Sequence, residues 1–148
     1  MLPLLHVENR QRAVKFDLPW LRRFGERAIA ASVLESGDEC FALRELAEVE
    51  VAIVSDRVIA GVHRKFMQID GATDVITFHH GEIVISAETA RSCATELQHS
   101  VEEELGLYII HGLLHLNGFD DHSERDRARM HATQNRILQA CLMEPPRA

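Results

Sequence analysis

Residues 100–118, SVEEELGLYIIHGLLHLNG, constrain the fold more than any other part of the chain. Ser100 followed by Glu103 is a capping-box signature for a helix start, and Gly118 is the residue type that stops one. Between them Leu105, Ile109, Leu113 and Leu116 recur at helical spacing, and their neighbours are largely apolar too. A helix with almost no polar face belongs in a core, so the other elements are read as its surroundings.

The chain has 148 residues, 46% apolar and 26% charged, which fits one hydrophobic core and a single domain spanning 1–148. Its longest apolar runs, at 28–33 and 105–110, fall well short of the roughly 20 residues that cross a bilayer. The first residues, MLPLLHVENRQR, have no basic start before the short apolar run and no small-residue cleavage site. The expectation is a cytoplasmic protein with no secretory signal and no membrane partner.

Around the central helix the local signals are clear. A short apolar segment at 4–7 precedes Asp17, a helix cap, and Pro19, suited to a first turn. Leu21, Phe24, Ala28 and Ala31 mark one face of that helix. Val49, Val51 and Ile53 alternate as a strand covered on at least one side, ended by Ser55, which caps a helix burying Ile59, Val62 and Phe66. Asp70-Gly71 breaks the chain before a β-branched strand at 73–78. His79-His80-Gly81 then links it to a strand at 82–86, a hairpin pattern. Ser123 with Asp126 opens the last helix, whose buried face includes Met130, Ile137 and Cys141, and the tail from 144 to 148 is a loose end. The expected architecture is α+β: a small mixed β-sheet packed with helices, with a metal site on a near-central helix.

Cys40, Cys93 and Cys141 lie far apart, odd in number and without a CxxC pair, so neither disulfides nor a cysteine metal site is expected, and small apolar packing is their role. A net charge of −7 argues against broad electrostatic attraction to nucleic acid. Any RNA role rests on a local patch, a metal ion or a partner.

The chemistry is concentrated in His111-Gly112-Leu113-Leu114-His115-Leu116-Asn117-Gly118-Phe119-Asp120-Asp121-His122. Two histidines four apart on a helix differ by about 40° in direction and about 6 Å in rise, so both can face one ion. Gly118 permits a left-handed turn that brings Asp120, Asp121 or His122 back as a third ligand, leaving a fourth position for water. In a zincin peptidase the residue after the first His is a Glu acting as general base; here it is Gly112, which disfavours a peptidase.

These residues resemble the YbeY endoribonucleases, bacterial factors for ribosomal RNA maturation, whose metal motif runs His-Gly-x-Leu-His-Leu-x-Gly-Tyr-Asp-His. His111, Gly112, Leu114, His115, Leu116, Gly118 and Asp120 match it, with Phe119 for Tyr. A second family block is similar to Thr73-Asp74-Val75-Ile76-Thr77-Phe78 followed by Gly81-Glu82-Ile83, and the resemblance covers most of residues 45–140. The family's third histidine position is Asp121 here, with His122 one later; either closes the site, and Asp121 is favoured because Asp also ligates zinc. The family often has an Arg, thought to serve RNA cleavage, where this chain has Met67; Arg64 or Lys65 one turn earlier are the alternative sources of charge, or are solvated surface residues.

The resemblance implies a single-strand-specific endoribonuclease acting in 16S rRNA 3′-end maturation and ribosome quality control. It would use one Zn2+ or another divalent metal, with His111 and His115 as catalytic and ligating residues. The implied partners are ribosomal RNA, the small ribosomal subunit, and ribosomal proteins or an assembly GTPase. The alternative is a non-catalytic small-subunit assembly factor with a structural metal. Of the other residues, His79 or His80 is a candidate for the cleft and Asp74 for orienting a ligating His or for a strand-end turn, while His6, His63, His99 and His131 are read as surface or packing residues.

Overall fold

A computed structural model describes residues 1–143, so the expected loose tail at 144–148 lies outside the described residues. The order is β1 (Leu4–Asn9), α1 (Leu18–Ser32), a short 3-10 turn (Leu43–Glu45), β2 (Glu48–Val54), α2 (Asp56–Met67), β3 (Val75–Phe78), β4 (Glu82–Ser86), α3 (Ala87–Leu97), α4 (Val101–Leu116) and α5 (Glu124–Leu142). The sheet runs β1-β2-β4-β3, parallel at β1/β2 and β2/β4 and antiparallel at β3/β4. It is therefore mixed, and the α+β reading stands.

Because strand side chains alternate between faces, β2 serves two apolar layers at once. Val49, Val51 and Ile53 point with Ile83 and Ile85 into the main core, against α1, α4 and α5. Ala52 and Val54 join Ile76, Val84 and Ile59 under α2 on the opposite face. The α4 helix is central, packing on α1, α3, α5, β3 and β4. Leu105, Ile109, Ile110, Leu113 and Leu114 are all fully buried along it.

The helix starts obey the local signals. Asp17, Ser55, Ser100 and Ser123 each accept a hydrogen bond from a first-turn backbone N–H, those of Trp20, Val58, Glu103 and Asp126 respectively. The structure adds α3, for which the sequence reading had no element, capped by Ser86 and burying only the small residues Ala87, Ala90 and Ala94. It also corrects Phe66: only Ile59 of the expected α2 face is fully buried, whereas Phe66 is exposed and meets the edge of Phe78 at 5.3 Å. The packing role expected of the cysteines holds for Cys141; Cys93 is half-buried and Cys40 exposed, and none is in a disulfide. Among the described residues no helix is long and apolar enough to cross a membrane.

Candidate metal centre

The end of α4 builds the site. Gly118 adopts φ +90°, and a Cβ there would lie 2.7 Å from the Glu39 carbonyl oxygen. The turn closes with Gly118 N–H donating to the His115 carbonyl (3.2 Å) and Phe119 N–H to that of Leu114 (3.0 Å), the paired pattern of a Schellman cap. Asn117, buried at the cap, anchors the turn to the rest of the fold. Its Oδ1 accepts from Leu43 N–H (3.0 Å), and its Nδ2 donates to the carbonyls of Ser32 (2.9 Å) and Glu35 (2.5 Å).

This turn also aims the histidines. The Phe119 carbonyl, fixed by the cap, accepts from His115 Nδ1 at 3.0 Å, and Gln134 of α5 presents its Oε1 to His111 Nδ1 at 3.0 Å. Each imidazole therefore carries its proton on Nδ1 and turns a lone pair inward on Nε2. The two Nε2 atoms are 3.1 Å apart, and Asp121 Oδ2 lies 3.9 Å from both. Two lone pairs and a carboxylate facing one point repel one another unless a cation lies between them. Two nitrogens on a tetrahedral zinc stand about 3.3 Å apart, given Zn–N lengths of about 2.0–2.1 Å. The donor set fits such an ion. Burial first, and then neighbouring His111, lowers the His115 pKa below 6.5, which keeps the imidazole neutral and available.

Among the described residues His111, His115 and Asp121 are the one group placed to share a metal. His122, the other candidate for third ligand, is exposed on the rim of the same cleft, outside that group. Asp120 turns elsewhere: it accepts from His122 N–H at 3.1 Å, which holds its carboxyl below the usual range, and its hydrogen bond to Glu39 raises that neighbour.

The cleft in front of the site has a volume of about 430 Å³. His63, Met67, Asp74, His79 and His122 line it together with the three site residues, and among the described residues no Lys or Arg does. Of the adjacent pair, His79 enters the lining, whereas His80 points away toward Glu82 at 3.9 Å. His63, read as a surface or packing residue, also lines the cleft, with Nδ1 on the Gly71 carbonyl at 3.0 Å. Asp74 makes the strand-end contact, accepting from Val75 N–H at 2.8 Å. Arg64 and Lys65 stay on the surface, the first 3.9 Å from Asp70 and the second over the Phe66 ring. Asn117 and Gln134 were missed by the sequence reading because their partners are remote along the chain. Gly112 faces β4, where a Cβ would lie 2.6 Å from Ile83 Cδ1, so position 112 has no room for a catalytic carboxylate.

Fold and site together define an α+β protein with a candidate mononuclear metal centre in an open cleft. The family model described as Endoribonuclease YbeY matches residues 6–142, and the chain belongs to that family. A relative named Endoribonuclease YbeY from Syntrophotalea carbinolica is 32% identical over 150 residues, 91% of this chain and 93% of its own. One of the same name from Koribacter versatilis is 40% identical over 96 residues, which span 61% of this chain and 62% of that relative. The solution structure of a Thermotoga maritima protein shares the fold with a TM-score of 0.65 at 24% identity, covering 93% of this chain and 89% of that one.

Proposed function

We propose that residues 1–148 form one metal-dependent hydrolase domain, an endoribonuclease that cleaves phosphodiester bonds of single-stranded RNA. The observation that carries this is the convergence of His111 Nε2, His115 Nε2 and Asp121 Oδ2 at the floor of an open cleft in a member of an endoribonuclease family. His111, His115 and Asp121 hold one ion, and zinc suits two imidazoles and a carboxylate. A bound Zn2+ supplies a Lewis acid for a phosphoryl oxygen and a water of lowered pKa. Gln134 and the Phe119 carbonyl fix the tautomers that make both imidazoles ligands. A carboxylate from Asp121 would bring one more negative charge to an ion held here than a third imidazole does, which would make water on it less acidic than in a three-histidine site.

The substrate and setting are those the family implies: 16S rRNA 3′-end maturation and ribosome quality control in the cytoplasm, in contact with the small subunit and with ribosomal proteins or an assembly GTPase. The test is cleavage of an unstructured RNA by zinc-supplied protein. Cleavage lost with a chelator and with His115→Ala supports the reading; chelator-resistant cleavage that survives His115→Ala refutes it. A 2′-deoxy substitution at the scissile nucleotide then identifies the nucleophile, since loss of cleavage counts against direct attack by water.

One observation favours a second reading, a small-subunit assembly factor with a structural metal: Met67 stands in a cleft that no Lys or Arg among the described residues lines. On that reading His115→Ala lowers stability and ribosome association together, with no separable loss of cleavage. A peptidase has no such support, because the position of its general base is Gly112 packed on Ile83.

A further inference from the structure

The cleft poses a problem for an RNA-binding site, because phosphates are ordinarily held by Lys and Arg and, among the described residues, none lines it. Its mouth carries a different kind of contact. Phe41 and His79 stack with ring centroids 3.8 Å apart and planes 23° from parallel. Both remain exposed, Phe41 at 39%. Each ring spends one face on the other, and His79 belongs to the cleft lining.

The pair is held in place from two sides. His79 follows directly on β3, whose pairing with β4 fixes it at the edge of the sheet. Phe41 sits in the loop between α1 and the 3-10 turn, which is pinned to the metal-site turn. Glu39 N–H donates to the Gly118 carbonyl at 2.9 Å, and Leu43 N–H donates to Asn117 Oδ1 at 3.0 Å. The turn that presents Asp121 therefore also positions the aromatic pair.

We propose that the Phe41–His79 pair is a stacking platform for an unpaired nucleobase of the RNA lying in the cleft, supplying the grip that cationic side chains provide elsewhere. The inference rests on the endoribonuclease reading and names how that site holds its substrate. An aromatic platform of this kind accepts any base, since every base has a π-face, and it rejects paired RNA, whose bases are already stacked. Loss of one base-stacking contact costs about tenfold in affinity.

The test uses the full chain, with zinc supplied, and a short unstructured RNA carrying 2-aminopurine, followed by fluorescence on binding and by cleavage. Expected is a loss of about tenfold in affinity for Phe41→Ala and for His79→Ala, with His79→Phe restoring most of it because the ring is kept. An abasic nucleotide at the stacking position should weaken binding to the wild type by a similar factor and have little effect on the His79→Ala variant. This RNA-side control does not depend on how any variant folds. If wild-type protein binds and cleaves RNA but neither ring variant nor abasic RNA weakens binding, the platform is wrong and the endoribonuclease reading stands. If wild-type protein neither binds nor cleaves RNA, the endoribonuclease reading falls and the platform with it.

Discussion

Replacing Asn117 by Ala tests whether the metal-site turn is held by a remote buried amide. In the native structure Asn117 accepts from Leu43 N–H and donates to the carbonyls of Ser32 and Glu35. After truncation the Ser32 carbonyl keeps its bond from Glu35 N–H, and the Glu35 carbonyl is in a partly buried contact that water reaches, so these two losses cost about 1 kcal/mol each. The Leu43 N–H loses its acceptor in a fully buried position, which adds about 1–3 kcal/mol. The sum, about 3–5 kcal/mol, is a large share of the 5–15 kcal/mol that ordinarily separates folded from unfolded chains. Urea unfolding in the presence of chelator, so that metal binding adds nothing, should show a midpoint lower by at least about 1 M with the slope unchanged. Asn117→Asp keeps the acceptor for Leu43 and should lose less if its charge is tolerated. A loss below about 1 kcal/mol for Asn117→Ala, less than a single orphaned buried N–H costs, would refute the reasoning.

Other expectations follow from single contacts. Gly112→Ala forces a methyl against Ile83 and should destabilise by about 1–3 kcal/mol in urea, with Ile83→Val in the same chain recovering part of the loss. Gln134→Leu removes the acceptor on His111 Nδ1 and should lower zinc affinity about 10- to 100-fold in chelator competition, while unfolding of the metal-free chain changes far less. Burial lowers the His115 pKa in the folded state, so between its folded and unfolded values the unfolded chain binds more protons. The stability linked to His115 is therefore whole above about pH 6.5 and is lost as pH falls through the folded value. Metal-free wild type should accordingly lose more stability than His115→Gln between about pH 7.5 and about pH 5.5 in urea unfolding.

Much of this fold is written in short-range signals. The Ser55, Ser100 and Ser123 caps, the turn at Gly118 and the β3–β4 hairpin each depend on residues within a few positions of one another, and the structure places them where the sequence reading did. The α3 helix escaped because its buried positions are alanines, which give no strong apolar periodicity. Phe66 misled because helical spacing shows which side of α2 is apolar but not how far the neighbouring sheet extends beneath it. The histidine pair was legible from its spacing. What aims the pair was not, since Gln134 and the partners of Asn117 come from segments remote along the chain. Spacing alone left the choice between Asp121 and His122 open, because it does not give the direction of the loop that carries both.

The central claim is that His111, His115 and Asp121 together hold one metal ion. Elemental analysis of purified protein supplied with zinc, for wild type, Asp121→Ala and His122→Ala, tests it most directly. The account predicts about one equivalent of zinc in the wild type and in His122→Ala, and its loss in Asp121→Ala. A wild type that takes up no zinc, or one whose zinc is lost with His122→Ala and kept with Asp121→Ala, would contradict it.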